Sequence, residues 1–204
     1  MMADKKERPI LMSAPEVLAL LAGTKTQKRR VVKWRQLTPG LNLGFSGLHA
    51  HQYPGGWVLE SQSRTSWEER CWPTPCPYGH PGDRLWVREA WRACAEADPV
   101  PPREMDAAFR IWYEADAQHQ PGFGKYRQPM FMPRRASRIT LEITDVRVQR
   151  LQEISEADAR AEGAAAHPDG PWHAYRSLWS LINGASSWEA NPWVWALTFK
   201  QIQP

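Results

Sequence analysis

Six cations stand within eleven residues of this chain, Lys25, Lys28, Arg29, Arg30, Lys33 and Arg35, and no Asp or Glu lies between Glu16 and Glu60. A block of this kind attracts an anionic partner, although most charge runs are simply solvated strands. Gly23 lies just ahead of it, and a tight glycine turn there would fix where the cations point. Crowded like charges disfavour one another's protonation, which is the usual route to a lysine base, and Lys25 leads the block. Glu162 precedes Gly163 in what reads as the last turn of a short helix. A carboxylate there faces the negative end of the helix dipole, which suits a proton donor. The alternative is that Lys25 is a turn lysine and Glu162 a helix-end carboxylate paired with Arg30. A second group comprises Trp86, Arg88, Glu89 and Trp91. Arginine with tryptophan stacks on bases and holds phosphates, and a glutamate accepts from a base amine. Arg88 and Glu89 are read as binding residues, and Trp91 as packing. Arg134, Arg135 and Arg138 extend the basic surface, with Arg135 better read as a solvated strand entry. Cys71, Cys76 and His80, with His49 or His51, raise a zinc reading. The spacing is not that of a standard ribbon, and no metal or cofactor is assigned.

The elements that must position these groups are legible in part. Ser13-Ala14-Pro15-Glu16 is a capping box with proline in the first turn, so a helix begins at Ser13 and ends at Gly23. Pro9 to Met12 and Thr26 to Arg35 read as strands on either side of it. Arg84 to Arg92 is the clearest strand of the first half, with Leu85, Val87, Glu89 and Trp91 on one face and Trp86, Arg88 and Ala90 on the other. Glu89 therefore belongs either at a strand end or in a polar pocket. Ala108 to Glu114 is a further strand. Ile139 to Val148 is a long one whose apolar phase shifts at Asp145, suggesting a bulge. Ser155-Glu156-Ala157-Asp158 opens a second helix ended by Gly163, Pro171 to Ile182 is a third, and Trp193 to Phe199 is the closing strand. Residues Met1 to Glu7 read as a frayed start. Gln36 to Arg70 is a long loop or hairpin, and Cys94 to Pro133 is loop-rich. This order predicts an α+β fold with a mostly antiparallel sheet curled into a barrel.

The chain has 204 residues, 42% hydrophobic and 24% charged, with a net charge of +4 and a pI near 9.1. That is enough for one domain with a core, and the basic bias suits an anionic partner. No run of eighteen apolar residues exists, so no membrane partner is expected. The polar start lacks a secretory h-region, and three cysteines suit a reducing cytosol. Oligomeric state is not legible. Twelve tryptophans are many for this length, and most are expected in the core.

Leu-Ala-Gly-x-Lys-x-x-x-x-Arg, Pro-Gly-Asp-x-Leu-Trp-Val-Arg-Glu, Ile-Thr-Leu-Glu-Ile-Thr-Asp-Val, Ala-x-Ala-Glu-Gly and Trp-Val-Trp-Ala-Leu-Thr-Phe-Lys occur here in that order. Together they resemble the ASCH family of PUA-like β-barrels, especially its phage and prophage members. The resemblance covers about half the chain, residues 9–35, 81–92, 133–163 and 191–202, with 36–70 and 94–133 as insertions in a single domain. It implies a PUA-like barrel with flanking helices that binds a nucleoside, nucleotide or nucleic acid, RNA before DNA, in a bacterial cytoplasm. Some members hydrolyse N4-acetylcytidine with a lysine, a threonine and a glutamate. By motif the lysine falls on Lys25 and the glutamate on Glu162, which the resemblance makes catalytic. The threonine position falls on Lys28, which cannot be a hydroxyl nucleophile; Thr26 lies two residues earlier, expected on the same strand face. Thr26, Lys28, Arg30, Trp86, Arg88, Glu89 and Arg138 are the expected substrate-binding residues. The alternatives are a non-catalytic nucleic-acid or nucleotide module and a phage accessory protein that binds a host protein.

Overall fold

The computed structural model describes residues 5–62, 67–69, 71–116, 122–164 and 167–202. Part of the expected frayed start (residues 1–4) and parts of the two expected insertions (63–66, 70 and 117–121) lie outside the described residues. In chain order the elements are β1 (Glu7–Leu11), α1 (Ala14–Leu21), β2 (Gln27–Val31), β3 (Leu48–Tyr53), β4 (Gly56–Gln62), β5 (Trp67–Glu69), β6 (Arg84–Arg88), β7 (Trp91–Ala93), β8 (Ile111–Tyr113), β9 (Thr140–Arg150), α2 (Glu156–Ala161), α3 (Pro171–Asn183) and β10 (Trp193–Ile202). The class is α+β. The chain divides into two compact units, one made of residues 1–26, 81–144 and 199–204, the other of 27–80 and 145–198.

In the first unit β1 pairs in parallel with β6, Glu7 opposite Arg84, and β6 pairs antiparallel with β9, Leu85 opposite Leu141. Helix α1 begins as its capping box dictates: the backbone N–H and hydroxyl of Ser13 both donate to Glu16 Oε2, at 2.9 and 3.0 Å. Its end is a Schellman turn, in which Thr24 N–H reaches Ala19 O at 2.9 Å, Gly23 N–H reaches Leu20 O at 3.0 Å, and Gly23 sits at φ +72°. The strand expected over Arg84 to Arg92 is two strands, broken at Glu89 and Ala90. The break lets Glu89 turn inward to a cation, because a carboxylate taken out of water must be paired. Trp91 is fully buried and packs with Ala93, Met105 and Met132, with Ile111 and Tyr113 of β8 against them. Strands β7 and β8 pair antiparallel there, Trp91 opposite Tyr113.

In the second unit β2 pairs antiparallel with β10, Lys28 opposite Leu197. The segment after Gln36 folds as a meander: β3 pairs with β4, Tyr53 opposite Gly56, and β4 pairs with β5. Leu151, Ile154, Ala159, Tyr175, Trp179, Trp188 and Val194 form the core beneath α2 and α3.

No closed barrel is found among the described residues. Among the described residues β1 has β6 as its sheet neighbour within its own unit and β2 has β10, and neither pairs there with the second strand that a barrel would need. Among the described residues no helix is long and apolar enough to cross a membrane.

Candidate functional site

The basic block is not a solvated strand at its start. Lys25, Gln27, Lys28 and Arg29 are all buried, whereas Thr26 is exposed. A strand alternates its side chains, so Gln27 and Arg29 share one face of β2 and Lys28 takes the other. Burial of all three means that both faces of β2 are covered. Thr26 lies one residue ahead of β2, exposed, and does not share the buried setting of Lys28.

The face carrying Gln27 and Arg29 meets α2. Ser155 caps that helix by accepting from Asp158 N–H at 3.1 Å, and Asp158 and Glu162, four residues apart, fall on one helical face. Arg29 Nη1 donates to Glu162 Oε1 at 3.0 Å and Nη2 donates to Asp158 Oδ2 at 3.0 Å. Gln27 ties the group together, its Nε2 donating to Asp158 Oδ1 at 2.8 Å while its Oε1 accepts from Arg29 at 3.1 Å. Arg147 Nη2 lies 3.4 Å from both Asp158 oxygens. Burial pushes the Asp158 carboxyl up, but the Gln27 amide and the Arg29 and Arg147 guanidiniums outweigh it and hold the carboxyl below the usual range. Glu162 is the C-terminal cap of α2, and Gly163 follows at φ +73°. The Arg29 charge thus offsets the unfavourable helix end. Glu162 is paired with Arg29, where sequence reasoning placed Arg30.

In the first unit Lys25 is held by the turn that ends α1, its N–H donating to Ala19 O at 3.1 Å. Its Nζ lies 3.6 Å from Glu16 Oε1, the carboxylate that also caps the helix start. Glu16 therefore serves both ends of α1. The other group in this unit is built on Arg138. Its Nε and Nη2 close on the two oxygens of Glu89, both at 2.9 Å, and it reaches Asp116 at 2.8 and 2.9 Å. Its guanidinium lies 3.9 Å from the centre of the Tyr113 ring, and Tyr113 Oη donates to Ala136 O at 3.0 Å. Burial pushes the Glu89 carboxyl up, with Arg138 pulling the other way. Trp86 and Arg88, on one face of β6, engage each other: the Arg88 guanidinium lies 4.6 Å from the Trp86 ring, and Nη1 donates to Met130 O at 3.1 Å. Burial lowers the Arg88 pKa. Arg134 pairs with Glu7 at 2.8 Å, and Arg135 donates to Pro102 O at 2.8 Å.

Sequence reasoning missed Gln27, Arg29, Asp158, Arg147, Asp116 and Tyr113 as members of these groups. One signal was available: Asp158 and Glu162 at i, i+4 on a short helix, matched to Gln27 and Arg29 at i, i+2 on a strand. Cys71 and Cys76 are buried free thiols, Cys71 Sγ accepting from Leu59 N–H at 3.2 Å. Among the described residues no three His, Cys, Asp or Glu side chains converge as a metal site. Comparison of the chain with family models, with curated proteins and with solved structures found no match to any of them.

Proposed function

We propose that this chain is an ASCH-type, PUA-like protein that binds a nucleoside, nucleotide or nucleic acid, RNA before DNA, with the segment Lys25 to Arg30. One observation carries the reading: Lys25 and Lys28 are 3% and 5% exposed and Arg29, committed to Glu162 and Asp158, anchors the strand to α2, so the lysines are fixed in place instead of spread over solvent. Fixed charges bind anions at little cost in ordering, which loose surface lysines do not. Trp86, Arg88, Glu89 and Arg138 are the further binding residues in this reading, and the regions 36–70 and 94–133 are insertions relative to the family's minimal domain.

A second reading, hydrolysis of an amide on an acylated nucleoside such as N4-acetylcytidine, is favoured by the burial of the two residues the resemblance makes catalytic, Lys25 at 3% and Glu162 at 4% exposed. Water would add to the acetyl carbonyl, the C–N bond would break, and acetate and cytidine would leave, with Lys25 as base and Glu162 as acid/base. Binding ranks first for two reasons. Lys28 occupies the threonine position, and the Glu162 carboxylate already accepts from Arg29.

The test is binding of RNA and DNA oligonucleotides across a salt series, run with N4-acetylcytidine hydrolysis, on wild type, Lys25→Ala and Glu162→Ala. Salt-sensitive binding that Lys25→Ala weakens, without turnover, supports the first reading. Turnover lost in both variants establishes the second. Neither binding nor turnover overturns both and leaves a protein-binding accessory.

A further inference from the structure

We propose that the segment Lys125 to Phe131, in the first unit, is a stacking platform for the unpaired bases of a single-stranded nucleic acid, with Arg88 holding a phosphate beside it. Such a platform presupposes the binding reading above and narrows its partner from a nucleoside, nucleotide or nucleic acid to a single strand. Between Asp116 and Glu142 the chain has no Asp or Glu but carries Lys125, Arg127, Arg134, Arg135 and Arg138. It is a second acid-free basic block, like that from Lys25 to Arg35. Within it Tyr126, Met130 and Phe131 are each at least 50% exposed.

The backbone that presents these side chains is pinned. Arg127 exchanges backbone hydrogen bonds with Trp91 of β7, its N–H donating at 2.9 Å and its carbonyl accepting at 3.1 Å. The buried Arg127 side chain donates from Nη2 to Ala97 O at 2.8 Å. Met132 is 1% exposed and packs in the Trp91 cluster, which anchors the far end. Lys125 N–H donates to both oxygens of Asp98 at 2.8 and 3.0 Å, so the acid against this segment is committed to its backbone. Arg92 Nη1 donates to Gly124 O at 3.1 Å, and its guanidinium lies 5.8 Å from the centre of the Tyr126 ring. Rings held on a fixed backbone bind a partner at little ordering cost.

Arg88 supplies the charge. Its guanidinium lies 4.6 Å from the centre of the Trp86 ring, and Trp86, only 8% exposed, positions the arginine while the exposed rings do the stacking. Nη1 donates to Met130 O at 3.1 Å, and the enclosed Nε has no hydrogen-bond partner among the described residues. Among the described residues no carboxylate pairs with Arg88, and burial alone acts on its charge, lowering its pKa. Met130 O belongs to the peptide that leads into Phe131, so Nη1 lies within about 6 Å of the Phe131 Cα. An unneutralised arginine beside an exposed phenyl ring matches a phosphate with its attached base. Tyr126 and Phe131 are at most about 18 Å apart at Cα, a span that one short strand covers. A duplex keeps its bases stacked on one another, whereas a single strand can offer each base to a ring. An apolar protein face would leave Arg88 uncompensated; a polyanion completes it.

Fluorescence anisotropy of the full chain with labelled oligo-U and oligo-dT, and with their duplexes, tests the platform across a salt series. The single strands should bind about tenfold or more tightly than the duplexes, and the tighter of the two identifies the sugar. Tyr126→Leu/Phe131→Leu, at exposed positions, should weaken single-strand binding by about tenfold or more with an unchanged salt slope, because it removes stacking and no charge. Tyr126→Phe/Phe131→Tyr keeps both rings and should bind as wild type does. Arg88→Gln should weaken binding and reduce the salt slope by about one phosphate contact. Equal affinity for single strand and duplex, or unchanged affinity in the leucine variant, would overturn the platform. If Arg88→Gln does not fold, the leucine and ring-keeping variants decide. Lys25→Ala is measured alongside. Binding lost there but kept in the leucine variant removes the platform and leaves the binding reading; binding lost in the leucine variant alone supports the platform and removes the Lys25 segment. No oligonucleotide binding by wild type overturns both and leaves the exposed rings to a protein partner.

Discussion

Arg29 and Glu162 face each other as a buried ion pair, Nη1 to Oε1 at 3.0 Å, with side-chain exposures of 0% and 4%. Neither charge can return to water when its partner is lost. Arg29→Gln is therefore expected to destabilise the protein by roughly 3–5 kcal/mol, since it removes the guanidinium that Glu162 and Asp158 share. Glu162→Gln should cost less, because Arg29 keeps Asp158. The double variant should lose less than the sum of the two, and a double-mutant cycle in urea checks this.

Asp158 sets an acid limit. Its folded-state carboxyl lies below the usual range, so the folded protein binds fewer protons here than the unfolded chain. The stability it contributes is present above the unfolded value of about 3.9 and is lost as pH falls through the folded value. Asp158→Asn should flatten the stability curve below about pH 4, measured by urea unfolding at successive pH values.

Glu89 has the opposite sign. Its folded pKa is raised by burial, so its contribution falls as pH rises from the unfolded value of about 4.3 through the folded one. Arg138 limits that loss by its hydrogen bonds and charge. Arg138→Gln should make stability fall more steeply with rising pH in that window, and Glu89→Gln/Arg138→Gln should restore a flat profile.

Gly56 adopts φ +131°, and a Cβ there would lie 2.5 Å from the backbone carbon of Thr74. The contact is with backbone and cannot be relieved by a rotamer change. Gly56→Ala should destabilise by roughly 1–3 kcal/mol, read as a lowered midpoint of thermal unfolding.

Lys28 is buried where the family resemblance expects a threonine. If the ASCH reading is right, Lys28→Thr should raise N4-acetylcytidine turnover by roughly tenfold or more over wild type, because a hydroxyl can act as nucleophile where an ammonium cannot. Turnover that stays at the background rate in a folded Lys28→Thr protein would count against the hydrolytic reading.

The sequence by itself determined the local frame. The capping box at Ser13, the Schellman turn at Gly23, the cap at Ser155, the helix end at Glu162 and the shared face of Trp86 and Arg88 all depend on residues within five positions of one another. Such signals are written in the chain, because the hydrogen bonds that make them close locally. The tertiary structure alone decided the partners: Arg29 instead of Arg30 for Glu162, Glu16 for Lys25, Arg138 for Glu89, and a strand meander within residues 36–70. A one-residue change of phase exchanges the two faces of a strand, so β2 could present either Lys28 and Arg30 or Gln27 and Arg29 to α2. Only packing against that helix selects between them, and the charges that end up out of water follow from that choice.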